Sequence, residues 1–207
     1  MPGEPSFESM YVRAGTDFAA IPWAELAPNP RLVRWLKQMP APTGERGLVV
    51  GCGLGDDAQE LARRGLNVTA FDLSPTAIRR CRERFPDSPV DYRVADVFDP
   101  PGDWERAFDV IVEIRTLQSL EPGTREAAAR SLAGLLAPGG RLLVVCFARE
   151  TGRPVGTRPW PVSRAELSAF ADAGLRELSF ARETVGDAGR PTFEVTYTRS
   201  LSAGGAA

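Results

Sequence analysis

The chain has 207 residues, 43% of them apolar and 25% charged, with 4 Trp and 10 Phe, a composition that predicts one globular domain rather than two. At this length about 70% of the surface exposed by the unfolded chain is buried on folding, and an odd set of three cysteines with no close spacing (Cys52, Cys81, Cys146) excludes a secreted disulfide scaffold or Cys-rich zinc site and makes the cytoplasm the expected compartment. Histidine is absent and the net charge is −2, which excludes imidazole-based triads, dyads and most zinc chemistry and gives no electrostatic footprint for nucleic acid or an anionic membrane.

The opening residues, Met1 to Pro5, lack the charged and apolar parts of a signal peptide. Residues 1–45 read as an N-terminal helical cap, with one helix from Phe7 to Arg13 and another from Asn29 to Gln38, the second started by Pro28 and Pro30. It holds Lys37, the single lysine of the chain, and no Gly-x-x-x-x-Gly-Lys-Ser/Thr string occurs, which argues against Schiff-base chemistry and P-loop phosphate binding as well. From Gly47 short apolar runs alternate with amphipathic stretches. Leu48–Val50 reads as a strand, Asp56–Arg64 as a helix and Asn67–Phe71 as a strand. Ser74 and Pro75 open a helix that runs to Arg84. Strands follow at Val90–Val94 and Phe108–Ile114, then a helix from Pro122 to Leu136 ended by Pro138-Gly139-Gly140, then a strand from Arg141 to Phe147. The longest apolar run, Leu142 to Ala148, falls far short of the ~20 residues of a membrane span.

Strands that alternate with helices predict a parallel sheet covered on both faces. The end of the chain differs. Ser163–Ala173 reads as a helix, with Ser163 and Glu166 at capping-box spacing and Gly174 as its stop. Leu175–Glu183 and Thr192–Arg199 read as a hairpin, in which Phe193, Val195 and Tyr197 alternate with Thr192, Glu194, Thr196 and Thr198 and predict one buried face. The core spans residues 46–199, and residues 200–207 read as a disordered tail.

The chemistry concentrates at the first strand–helix junction. Gly51-Cys52-Gly53-Leu54-Gly55 permits a tight turn and a close approach of ligand to backbone. A dinucleotide fingerprint requires glycine where Asp56 stands, and the pair Asp56-Asp57 is the wrong charge for a pyrophosphate at a helix N-terminus. A nucleoside bearing a positive group suits the loop better, and S-adenosylmethionine is such a ligand. Asp72, at the end of the next strand, can accept the ribose hydroxyls, and Ala95-Asp96-Val97 follows the third strand.

These strings resemble the class I methyltransferases that use S-adenosylmethionine. The resemblance covers residues 46–199 and includes Val49-Val50-Gly51-Cys52-Gly53-Leu54-Gly55, Phe71-Asp72, Ala95-Asp96-Val97, Phe108-Asp109 and Leu136-Ala137-Pro138-Gly139-Gly140. Within that class, the Gly-Cys-Gly-x-Gly-x-Asp57 string, the N-terminal segment from Tyr11 through Ile21-Pro22-Trp23 to Val33, and Pro161-Val162-Ser163-Arg164-Ala165-Glu166-Leu167 resemble the thiopurine, halide and thiol methyltransferase branch. The resemblance implies a doubly wound, seven-stranded, mostly parallel α/β sheet with an antiparallel last strand. It implies that Trp23 closes over the cofactor and that Gly51, Gly53, Gly55 and Asp57 line it. Asp72 would take the ribose hydroxyls, Leu73 would lie against the adenine, and Asp96 with Val97 would receive its amino group. Strand four continues Glu113-Ile114-Arg115-Thr116-Leu117-Gln118-Ser119, without the aromatic strings of the branch.

Ligands in this architecture lie at the carboxyl ends of the strands, which makes Glu113 an expected cofactor neighbour and candidate base, Arg115 a candidate holder of an anionic acceptor, and Thr116 part of the acceptor pocket. Arg158 and Trp160 would form its outer wall, with Trp23. A salt bridge between Glu113 and Arg115 is the plain structural reading of that pair. The expected activity is methyl transfer to a thiol, a halide or a heteroatom of a small aromatic, by a monomer or homodimer that binds no metal, nucleic acid or membrane. The alternative is a cofactor-binding module or partner subunit without catalysis. A nicotinamide oxidoreductase is disfavoured by Asp56 and by the lack of a catalytic Lys or His, and a nucleic-acid methyltransferase by charge.

Overall fold

The computed structural model describes residues 6–40, 42–155, 158–184 and 189–201. They fall into two compact units, residues 1–96 and 97–207.

In the first unit, α1 (Phe7–Ala14) is capped by Ser6, whose side chain accepts from Ser9 N, and stops at Gly15. Asn29 caps α2 (Pro30–Lys37) through Arg31 N, with Pro30 in the first turn. Then come β1 (Arg46–Val50), α3 (Asp56–Arg63), β2 (Asn67–Asp72), α4 (Pro75–Arg84) and β3 (Asp91–Val94). The strands are parallel, in the order β3-β2-β1. Four of the five β1 residues are buried, as expected of a strand covered on both faces. Ser74 caps α4 as expected, its hydroxyl accepting from Ala77 N at 3.0 Å.

In the second unit, β4 (Phe108–Ile114) is followed by a 3-10 turn at Leu117–Ser119, α5 (Arg125–Leu135), β5 (Leu136–Arg149), β6 (Val162–Ser163), α6 (Ser168–Asp172), β7 (Leu175–Glu183) and β8 (Thr192–Arg199). The order is β4-β5-β8-β7, with β6 beside β5; β4 is parallel to β5, and β8 is antiparallel to both neighbours. The expected fold class, a doubly wound α/β sheet of mostly parallel strands with a reversed end, is the one observed.

Four expectations about elements are corrected. Pro122–Thr124 is a 3-10 turn ahead of the α-helix. Pro138-Gly139-Gly140 does not separate helix from strand: β5 begins at Leu136, and its register against β4 jumps from Phe108↔Leu136 to Val110↔Arg141. A Cβ at Gly140 would lie 2.9 Å from Ala137 O and 3.0 Å from Asp109 O, so the irregularity is built on glycine. The helix predicted from Ser163 is regular only over Ser168–Asp172. Its capping box does form, with Ser163 N donating to Glu166 Oε2 at 2.7 Å and Glu166 N donating to Ser163 Oγ at 3.3 Å, but Arg125 and Arg149 also hold Glu166, and Val162–Ser163 pairs with Ala148–Arg149. Finally, β8 is buried on both faces: Thr192, Thr196 and Thr198 are buried along with Phe193, Val195 and Tyr197, because β8 lies inside the sheet between β5 and β7. The expected tail lies outside the described residues from 202 onward. Among the described residues, no helix is long and apolar enough to cross a membrane, and no group of three or more His, Cys, Asp or Glu could hold a metal ion.

Candidate functional site

The glycine loop joins β1 to α3 in the first unit. Gly51, Gly53 and Gly55 all have positive φ, at 59°, 55° and 90°, the region that favours glycine. Gly55 is also sterically closed to a side chain, since a Cβ there would lie 2.6 Å from Tyr92 Oη. The carbonyls of the loop are held from α4. Cys81 Sγ donates to Gly53 O at 3.2 Å, and Arg84 donates to Leu54 O while forming a bidentate pair with Asp56 at 2.8 and 2.9 Å. That pair corrects the charge expected at this helix start, because Asp56 is neutralised by Arg84. Asp57, the other expected acid, accepts from Asn29 N at 2.7 Å and so ties the start of α2 to the start of α3.

Asp72 lies at the end of β2 and is 9% exposed. Its Oδ2 accepts from Gly53 N at 3.0 Å and its Oδ1 from Ser74 N at 2.9 Å, so one carboxylate shapes the loop and supports the start of α4. Burial raises its pKa, against the hydrogen bonds from Ser74 and Gly53. The Leu73 amide acts on it as well, and a carboxylate, with about four acceptor sites, keeps capacity beyond these backbone donors. Leu73 beside it is 63% exposed, and Val94 at the end of β3 is 51% exposed, an apolar surface left open beside a polar anchor. Asp96 is half-buried.

The N-terminal segment packs on this loop. Tyr11, Ile21, Leu54 and Ala77 form one apolar cluster, with Phe7, Phe18 and Trp23 against it. Trp23 Nε1 donates to Tyr11 Oη at 2.9 Å, and its ring meets those of Phe7 and Tyr11 edge-on at 5.4 and 5.6 Å. Tyr11 Oη lies 3.3 Å from where a Gly53 Cβ would be. Glu8 fastens α1 to the start of α4, accepting from the hydroxyls of Ser74 and Thr76 and from Thr76 N. Despite burial, those hydrogen bonds hold its pKa below the usual carboxylate value. Tyr11, Glu8, Cys81 and Arg84 therefore belong to the loop's surroundings although sequence reasoning gave them no role.

Trp23, expected at both the cofactor and the acceptor, lies in the first unit; Val97, expected at the adenine, and the remaining residues expected on the acceptor side lie in the second. Val97 is buried, and its carbonyl accepts from Ser131 Oγ at 2.5 Å. Glu113 is 0% exposed. Its Oε1 accepts from Thr116 N at 2.6 Å and Leu117 N at 2.9 Å, whereas Oε2 is buried with no hydrogen-bond partner. Burial pushes its pKa up to about 7, against the lowering effect of those two amides and of Arg125. The cation acting on Glu113 is thus Arg125 of α5, not the Arg115 of the plain reading. Arg115 has φ 68° and donates through its N–H to Val145 O at 2.8 Å, with its guanidinium 5.4 Å from the Phe147 ring centre.

Trp160 is fixed by its backbone: its N–H donates to Gln118 O at 2.7 Å, and its carbonyl accepts from Arg125 at 2.5 Å. The Arg158 guanidinium lies 5.2 Å from the Trp160 ring centre. Arg125, 3% exposed, also pairs with Glu166 at 2.5 Å, and Arg149 pairs with the same carboxylate at 2.6 Å. Gln118 Oε1 accepts from Phe147 N at 2.6 Å. Trp160 is thereby anchored through its backbone by buried Arg125 and by the Gln118 carbonyl, with half-buried Arg149 and Glu166 behind them, all outside the expected set, whereas Thr116 is held by Glu113.

The family model of a methyltransferase domain matches residues 48–140. A ubiquinone biosynthesis O-methyltransferase of Xanthomonas axonopodis pv. citri is 36% identical over 168 residues, covering 72% of this chain and 70% of that protein. The chain belongs to the S-adenosylmethionine-dependent methyltransferases of class I. A probable thiol methyltransferase of Arabidopsis thaliana is 32% identical to this methyltransferase over 151 residues, covering 71% of the chain but 65% of that relative. In fold it is similar to the Burkholderia thailandensis 1,6-didemethyltoxoflavin-N1-methyltransferase, solved with its substrate and S-adenosylhomocysteine, at TM-score 0.73 and 20% identity over 97% of this chain and 93% of that one. The cofactor of this methyltransferase is S-adenosylmethionine, and its loop fits that group: three glycines at positive φ and a buried carboxylate with lone pairs to spare stand beside exposed Leu73 and Val94.

Proposed function

We propose that this methyltransferase acts on a small acceptor that arrives already nucleophilic: a thiol as its thiolate, a halide, or a heteroatom of a small aromatic. The burial of Glu113 carries this reading. With no histidine in the chain and the candidate base at 0% exposure, its two amide bonds already made on one oxygen, the residues supply binding and orientation rather than proton removal. Orientation alone is sufficient in magnitude, since correctly placed reactants gain on the order of 7–11 kcal/mol over free encounter. The thiol methyltransferase relative supports the same class of acceptor.

Bound S-adenosylmethionine supplies an electrophilic methyl group on a sulfonium. In our reading Gly51, Gly53 and Gly55 leave room for it, Asp72 accepts from its ribose, and Leu73 and Val94 give the adenine an apolar surface. Asp96 and Val97 take the adenine edge, Asp57 keeps α2 in place, and Trp23 with Tyr11 covers the loop. Arg115, Thr116, Arg158 and Trp160 receive the acceptor, and Arg115 favours an anion. We further place the protein in the cytoplasm, as a monomer or homodimer without nucleic-acid or membrane partners; its three free cysteines support that compartment.

The test is methyl transfer from labelled cofactor to hydrosulfide, iodide, 4-nitrothiophenol and a catechol. Thiolate turnover exceeding catechol turnover by at least tenfold is expected. Efficient methylation of the catechol with no turnover of thiols would overturn the reading in favour of O-methylation, the chemistry named for the Xanthomonas relative. Tight binding of S-adenosylhomocysteine with no transfer to any acceptor would favour a non-catalytic module.

A further inference from the structure

Glu113 combines three features that the proposed chemistry leaves unused. It is completely buried, one carboxylate oxygen takes both amide hydrogens of the turn after β4, and the other oxygen has no partner. Arg115, inside that turn, holds a left-handed φ of 68°, a conformation that costs a non-glycine residue free energy and persists only where neighbours enforce it. The enforcing contacts are Arg115 N to Val145 O on one side, and Thr116 N and Leu117 N to Glu113 on the other. Ser119 Oγ closes the turn by donating to Arg115 O at 3.0 Å.

We propose that Glu113 is a positioning residue, whose ionised carboxylate holds the turn from Arg115 to Leu117, and so presents Arg115 and Thr116 to the acceptor. This rests on the acceptor-side role given to those two residues above. Hydrogen bonds to an ionised acceptor are roughly twice as strong as those to a neutral one, so the turn is held firmly when the carboxyl is ionised and loosely when it is protonated. The ionisable groups acting on the carboxyl are Arg125 from α5, which favours ionisation, and Cys146 from β5, whose own thiol burial pushes up. With ionisation centred near 7, the ionised fraction changes about tenfold between pH 6 and pH 8. Acceptor affinity follows that fraction and cofactor affinity does not.

The experiment uses 4-nitrothiophenol, whose thiol stays ionised throughout this range, as acceptor. For the wild type, KM for this thiol is expected to fall about tenfold from pH 6 to pH 8 while kcat and S-adenosylhomocysteine affinity stay level. Glu113→Gln keeps an oxygen to accept both amides but cannot ionise, so its KM is expected to be flat with pH. Glu113→Ala is expected to raise KM at every pH. A wild-type KM that does not change with pH, or a Glu113→Gln profile identical to the wild type, would overturn the proposal. Because the variants could fail to fold and the acceptor reading could itself fail, the amide resonances of Thr116 and Leu117 are followed by NMR in the wild type. Both are expected to titrate together with a midpoint near neutrality, with or without turnover. Two amides that do not shift between pH 6 and 8 overturn the proposal even if methyl transfer is efficient.

Discussion

Asp72 serves two backbone donors from two different segments, Gly53 N and Ser74 N. Removing it leaves both donors short of a partner, and a buried group left unsatisfied costs about 1–3 kcal/mol. Asp72→Ala is therefore expected to weaken S-adenosylhomocysteine binding by about 10- to 100-fold by calorimetry, with Asp72→Asn, which keeps one acceptor oxygen, falling between it and the wild type. At Gly55 the outcome is steric and conformational. Alanine there meets Tyr92 Oη at 2.6 Å with φ at 90°, so Gly55→Ala should lose about 1–3 kcal/mol from backbone strain alone and more from the contact. Adding Tyr92→Phe, which removes that oxygen, should return part of the loss in thermal denaturation. The place of the loop and of Asp72 in the fold was legible because it is local: glycines at a strand–helix junction and an acid at the next strand end. Glu8 was not, because its partners lie 66 and 68 residues away and nothing near Glu8 distinguishes it from any acidic residue in a first helical turn. Arg84 was hidden for the same reason, its acidic partner being 28 residues back.

Among the elements, those set by short-range pattern stand where the sequence puts them. The strands Phe108–Ile114, Leu175–Glu183 and Thr192–Arg199 match to the residue. The failures share a cause, a tertiary partner that outweighs local preference. Ser163 and Glu166 make the capping box that their spacing predicts, yet the helix waits until Ser168 because Arg125 and Arg149 converge on Glu166. Threonines on β8 read as a solvent face and are buried, because strand order along a sheet edge is not written in a two-residue period. The same double ion pair makes a prediction for its segment. Glu166→Ala strands the buried Arg125 guanidinium, and breaking a fully buried pair costs about 3–5 kcal/mol. With Glu166 21% exposed, a loss toward the low end of that range is expected in urea denaturation. Trp160 should become more accessible to a fluorescence quencher, because its carbonyl depends on the same Arg125.

For the whole molecule, Glu113 ties stability to pH with a definite sign. Its pKa is about 7 in the fold against an ordinary 4.5, so folding favours the protonated form. That contribution is fully present below about 4.5, declines as pH rises, and is gone above about 7. The gap corresponds to on the order of 3 kcal/mol as an upper figure. Glu113→Gln removes the dependence, so the urea midpoint of the wild type should fall relative to the variant between pH 4.5 and 7 and run parallel to it above. The ionised form thus strains the fold at the pH where it best holds the acceptor turn, a cost typical of groups kept for function rather than stability. The absence of histidine then acquires a practical meaning. No imidazole titrates in the neutral range, so proton binding measured there by potentiometric titration, with Glu113→Gln as the reference, reports a buried acid without a histidine background.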